Sequence, residues 1–234
     1  MIKLTSTQQK VLDIYHNDGT QKAWNYWKLM GNTYGIFLGE VPSNEFIDGE
    51  SLAKHIGLTE GVLCNVDTNW LKFILDGNIM YIPMKPLMHS VSWDAIKDCG
   101  AVFENEGASV DIDGIDYDIT IPNGLYIDEK TDTSGYDFQE SYNSEWNRCF
   151  YVISHRLLHD KRFESWASYS DADLVMSDAY GNGSFTWSKI PNIKNRQTRL
   201  FRGGDGVAYI FRYTNFIVES SRGWRPILRF CLNH

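Results

Sequence analysis

The sequence predicts an α+β fold, with a short helical segment at the N-terminus followed by a region rich in β-hairpins. Three observations carry that prediction. Two apolar runs turn on an Asp-Gly pair, at Asp76-Gly77 and Asp113-Gly114, the dipeptide that supplies the two positive-φ positions of a type I′ turn. Short segments that begin at Ser or Asp and stop at Gly read as capped helices. From Arg199 onward, Tyr, Phe and Trp recur through short apolar runs, the composition of strands.

In chain order, residues 1–38 are expected to form a helical anchor. Thr5 or Ser6 caps a helix over 5–17, with Val11, Leu12, Ile14 and Tyr15 as its partial apolar face, and Asn17-Asp18-Gly19 ends it. A second helix, Gln21 to Met30, carries Trp24, Trp27 and Lys28. That face is too small to be a core by itself, so Tyr15, Trp24 and Trp27 are read as anchors on a partner chain. Residues 39–85 read as a linker and a small hairpin module. The stretch to 62 is rich in turns around Pro42, with a helix from Ser51 to Ile56 that stops at Gly57. The hairpin runs from Trp70 to Pro83.

Residues 86–234 form the remaining domain. Ser90 or Ser92 caps a helix over 93–97, with Gly100 beyond its end. A second hairpin spans 109–121. Residues 128–144 are polar and read as a surface loop, and Ser144 to Arg148 opens a helix or strand leading into Phe150. Residues 160–195 read as irregular apart from an aromatic strand, Ser184 to Ser188, and closing strands are expected at 198–202, 207–213 and 224–230.

A chain of 234 residues with 43% apolar content has room for a core of ordinary size. Its 8 Trp and 13 Tyr are many for that length, and such side chains suit cores and recognition surfaces alike. A formal charge of −8 argues against a phosphate-backbone binder, which presents a basic face. No apolar run approaches the ~20 residues that cross a bilayer, and the N-terminus lacks the apolar stretch of a signal peptide. The expectation is a chain made in a cytosol, with no nucleic-acid or membrane partner. Cys64, Cys99, Cys149 and Cys231 form no CxxC pair and read as buried free thiols.

Candidate chemistry is sparse. Asp111, Asp113, Asp116 and Asp118 lie on outer strand faces by alternation, with Val110, Ile112, Ile115 and Tyr117 inward. They read as a solvated face, with a Ca²⁺ site as the alternative, although no Glu closes a 12-residue loop of the EF-hand kind. His155 and His159 have i,i+4 spacing, but Arg156 stands where a zinc-protease helix carries Glu. There is no G-x-S-x-G elbow and no phosphate loop. Trp146, Trp166, Tyr169, Tyr180, Trp187, Tyr209, Tyr213 and Trp224 make an aromatic set. Trp224 reads as core. Tyr169, Tyr180, Asn182, Trp187 and Tyr209 are the candidate ligand-binding residues. No catalytic residue, metal ligand or cofactor is assigned.

Thr198-Arg-Leu-Phe-Arg-Gly-Gly-Asp205 followed by Arg222-Gly-Trp-Arg-Pro-Ile-Leu228 resembles the ending of the formylglycine-generating-enzyme branch of the C-type-lectin-like fold. Gly39-Glu-Val-Pro-Ser, Ile56-Gly-Leu-Thr-Glu-Gly, Asn69-Trp-Leu-Lys-Phe-Ile-Leu-Asp-Gly, Ser92-Trp-Asp, Gly100-Ala-Val-Phe and Ser144-Glu-Trp-Asn-Arg, in that order, resemble a family of tailed-bacteriophage virion proteins. The resemblance covers residues 39–230. It implies a C-type-lectin-like domain over 86–234 on a phage tail, fibre, collar or decoration. It also implies other virion proteins as partners of the N-terminal segment, a homo-oligomer, and a host-surface glycan as ligand. Enzymatic activity does not carry over. Cys149 and Cys231 have no matching motif around them, and Asp205 stands where the enzyme branch has Ser-Trp. The alternative is an enzyme of the formylglycine-generating or carbohydrate-active kind that works through Asp and His.

Overall fold

Both Asp-Gly pairs turn as their sequence predicts. In the computed structural model, Asp76 and Gly77 have φ of +49° and +82°, and Asp113 and Gly114 have +54° and +77°. The structure describes residues 35–104, 106–124, 135–136, 144–151, 153–154, 169–175, 182–191, 198–207 and 209–231. The helices expected at 5–17 and 21–30, with Tyr15, Trp24 and Trp27, lie outside them. The described elements are β1 (Ile36–Val41), α1 (Gly49–His55), β2 (Val62–Leu63), β3 (Trp70–Leu75), β4 (Asn78–Pro83), β5 (Met88–His89), α2 (Trp93–Asp98), β6 (Ser109–Ile112) and β7 (Ile115–Thr120). They continue with β8 (Gly135–Tyr136), α3 (Asp171–Leu174), β9 (Phe185–Pro191), β10 (Thr198–Gly203), β11 (Tyr209–Thr214), β12 (Arg222–Trp224) and β13 (Ile227–Cys231).

These strands make an α+β fold with two sheets. The six-stranded sheet has the order β1-β3-β4-β13-β7-β6, and its neighbours are antiparallel throughout. The seven-stranded sheet has the order β2-β5-β12-β9-β10-β11-β8, with one parallel pair, β12 with β9. The expected boundaries at 38/39 and 85/86 both meet the six-stranded sheet. The first falls inside β1, and the second follows β4, whose other neighbour is β13 from the far end of the chain.

The hairpin of β3 and β4 reads as continuous apolar runs because both its faces are covered. Trp70, Ile74, Ile79 and Tyr81 join a core shared with α1, α2 and the seven-stranded sheet. Leu71, Phe73, Leu75, Met80 and Ile82 join a second core with Trp146, Phe150, Ile153 and Val207. The β6–β7 hairpin, at a sheet edge, keeps its alternation. Val110, Ile115 and Tyr117 are buried while Asp111, Asp113, Asp116 and Asp118 are exposed.

The caps are close to their expected places. Asp48 caps α1 by accepting from Ser51 N at 2.8 Å, so the helix begins at Gly49 rather than Ser51. Ser92 Oγ accepts from Ala95 N at 3.1 Å and opens α2. Ser92→Ala is expected to cost about 1 kcal/mol by loss of this cap, read as a lower urea midpoint at unchanged slope.

Three expectations are corrected. The single strand expected at 224–230 is two strands in different sheets, β12 and β13. Pro226 donates no backbone hydrogen bond, so the ladder stops there and the chain crosses between sheets. The irregular stretch 160–195 contains α3, whose Ser170 and Asp173 satisfy each other's backbone N–H groups in a capping box. Within the expected loop 128–144, Gly135 and Tyr136 pair with Ile210 and Tyr209.

Candidate functional site

Two arrangements gather the functional groups of the described residues. The first is a closed ion cluster between the sheets. Lys189 of β9 lies 2.6 Å from Glu104 and 3.1 Å from Glu145. Arg229 of β13 lies 2.8 Å from Glu104 and 2.7 Å from Glu145. Asn123 N donates to the second Glu145 oxygen at 2.7 Å. Burial pushes the Glu145 carboxyl up, but Arg229, Lys189 and the Asn123 N–H outweigh it and hold it below its ordinary value. Glu104 shifts the same way, with burial opposed by Lys189 and Arg229. A general acid needs a raised pKa, so both carboxylates are held in the wrong state for that role. The cluster ties one sheet to the other.

The second arrangement is an aromatic face on the seven-stranded sheet. The register sets Phe201 opposite both Trp187 and Phe211, and Arg199 opposite Tyr213. Opposed residues point to the same side of a sheet, as do residues two apart. Tyr209, Phe211 and Tyr213 of β11 therefore stand beside Phe201 of β10 and Phe185 and Trp187 of β9. Ring centroids are 4.0 Å apart for Trp187 and Phe201, 5.9 Å for Phe185 and Phe211, and 6.2 Å for Phe211 and Tyr213. Arg222 of β12 lies across this face, 4.6 Å from the Phe201 ring and 5.2 Å from the Tyr213 ring. Arg199 stacks on Trp93 of α2 at 3.9 Å. Both contacts place a cation on a π face.

Exposure rises along this face. Trp187 and Phe201 have no exposed area, whereas Tyr213 is 36% exposed. The loop from β11 to β12 continues the trend, with Phe216 at 62% and Val218 at 50%. The loop is tied down along its length. Trp93 N donates to Asn215 O at 3.0 Å, Gly183 N to Ser220 O at 2.8 Å, and Arg222 N to Glu219 O at 3.0 Å. Asn215 Nδ2 donates to both Asp94 oxygens at 2.8 and 3.0 Å. Arg222 lies 3.1 Å from the Glu219 carboxylate. The result is a fixed loop showing two apolar side chains beside an exposed tyrosine, with Glu219 and Ser220 at its rim. Such a surface stacks on a flat apolar face and hydrogen-bonds at the edges.

The five sequence-predicted ligand residues separate. Asn182 is exposed and, next to Gly183, borders the loop. Tyr209 begins the aromatic row and is partly buried. Trp187 was expected at the surface, but its ring has no exposed area and its Nε1 donates to Val91 O at 2.7 Å. It is a core residue, because β9 lies inside the sheet and its partner face is covered by α2 and the chain before it. Tyr169 is buried against the second core and donates to Glu40 at 2.5 Å. Tyr180 lies outside the described residues. The expectation that Trp224 is core is met.

Sequence reasoning missed Phe216, Val218, Glu219 and Arg222. The signal was the apolar run Phe216-Ile217-Val218 between Thr214-Asn215 and Glu219-Ser220-Ser221, directly after a strand of alternating aromatics. Cys149 is fully buried, and burial pushes its thiol up, away from the reactive thiolate. Among the described residues no group of His, Cys, Asp and Glu is arranged to hold a metal ion. His155 and His159 lie outside them.

No family model, no curated protein and no solved structure matches this chain.

Proposed function

We propose that the chain is a structural protein of a tailed-bacteriophage virion whose lectin-like domain uses the β11–β12 loop to bind a host-surface glycan. The observation that carries the reading is the exposed set Tyr213, Phe216 and Val218 on an anchored loop. The motif residues behind the lectin-like resemblance also support it, because they have demanding positions. Gly203 and Gly204 have φ of +98° and +77°. A Cβ on Gly203 would meet Ser184 O at 2.6 Å, and one on Gly204 would meet the Phe185 ring at 2.3 Å. Buried Arg202 donates to Asn147, and Trp146 Nε1 donates to Val207 O at 2.7 Å. The Arg-Gly-Gly turn thus seats β10 on β9 and on the helical segment at Trp146 and Asn147, behind the candidate surface.

In this reading residues 1–38, with Tyr15, Trp24 and Trp27, attach a homo-oligomer to other virion chains, and the domain faces outward. The test is binding of the purified full chain to arrayed host-surface glycans, with immunogold labelling of intact particles. Tyr213→Ala and Phe216→Ser are expected to keep the melting temperature within a few degrees. Each should weaken glycan binding roughly tenfold or more, as loss of a central anchor does. Unchanged binding in both variants would remove the loop assignment, and particles without label would remove the virion assignment.

A further inference from the structure

Arg225 follows Trp224 where the chain crosses between the sheets, and its side chain has no exposed area. One donor, Nη2, reaches Leu174 O at 2.6 Å. Nε and Nη1 have no hydrogen-bond partner among the described residues. The guanidinium lies against two rings, 5.3 Å from the Trp146 centroid and 4.9 Å from that of Phe150. Among the described residues no carboxylate forms an ion pair with it. Burial pulls it down to about 9.

Lys85 converges on the same place. Its Nζ donates to Ala172 O at 2.8 Å and to Val175 O at 3.4 Å. Two cations therefore meet the carbonyls of residues 172–175. Burial and then Arg225 lower the Lys85 ammonium from its ordinary value, with the Asp173 carboxylate opposing them. Carbonyl dipoles and ring faces compensate part of the cost of burying a guanidinium, but not a full charge. Unmatched buried donors of this kind are where an ion or an ordered water belongs. Lys85 is only partly buried, which gives the pair a side toward solvent.

We propose that Arg225 Nε and Nη1, with Lys85 on the solvent side, bind one small inorganic anion of chloride size. A monovalent, weakly hydrated ion is favoured at so buried a guanidinium, because a divalent oxyanion would lose far more hydration on entering. The ion neutralises the arginine and links α3 to the sheet crossing at Arg225-Pro226.

The full chain is melted in sodium chloride, sodium bromide and sodium gluconate at equal ionic strength. Chloride and bromide are expected to raise the melting temperature along a saturating curve, as ligand linkage does, and gluconate is not. Lys85→Gln, which leaves Arg225 in place, is expected to move the chloride midpoint up roughly tenfold, the effect of removing one nearby charge. Crystals grown in bromide should show an anomalous peak within hydrogen-bond reach of Arg225 Nε or Nη1. A chloride response that does not saturate, an unmoved midpoint in Lys85→Gln, or only water at Arg225 in bromide crystals would each overturn the proposal.

Discussion

Glu145→Gln is expected to destabilise the protein by about 3 kcal/mol, the cost of removing one partner from a buried ion pair. That lowers the melting temperature by roughly 6–12 °C in a chain of this size. The loss is large because Glu145 serves two cations from two sheets, Lys189 and Arg229, and is itself only 14% exposed. Glu104→Gln should cost less, about 1 kcal/mol, because Glu104 is 36% exposed and solvent screens it.

The cluster also sets an acid dependence. Both carboxyls lie below their ordinary value of 4.5 in the folded protein. A depressed folded-state pKa contributes stability that is complete above the ordinary value and is lost as pH falls through the folded one. Urea midpoints measured from pH 7 downward should therefore hold until about pH 4.5 and then fall, with a shallower fall in Glu145→Gln. An unchanged melting temperature together with an unchanged acid slope would show that the cluster does not hold the sheets together.

Trp187→Ala is expected to cost about 3–5 kcal/mol, the range for emptying a buried large aromatic site, or roughly 6–20 °C in melting temperature. The ring packs 4.0 Å from Phe201, and its N–H satisfies the Val91 carbonyl at 2.7 Å. Truncation leaves both a cavity and an unpaired buried acceptor. A surface ligand residue would behave otherwise, losing binding while the melt stays put. The pair Trp187→Ala and Phe216→Ser therefore separates the core of the aromatic face from its exposed end. If Trp187→Ala melts like the unmodified chain, the burial of this ring is wrong.

The same two residues show how much of the site was legible. Trp187, between Thr186 and Ser188, and Phe216, after Asn215, are both large aromatics beside polar residues, and along a strand alternation says which side a ring takes. It does not say what covers that side. For Trp187 the cover is α2 and the chain before it, nearly a hundred positions away in sequence. For Tyr213 and Phe216 the described structure leaves the side open. The arginines were harder still to read. Arg222 and Arg225 stand three positions apart, yet one lies across an aromatic face beside Glu219 and the other is sealed against Trp146 and Phe150.

What the chain determines by itself is local. Asp76-Gly77 and Asp113-Gly114 turn because only such residues accept positive φ cheaply. Asp48 and Ser92 open helices because their side chains reach N–H groups three residues on. Pro226 ends a ladder because it has no N–H to give. The tertiary structure alone decides that β13 lies between β4 and β7, that residues 104, 145, 189 and 229 meet in one ion cluster, and which aromatic rings face water. Those outcomes depend on contacts between residues far apart in the chain, where burial and charge pairing act across space and leave no mark on neighbouring positions.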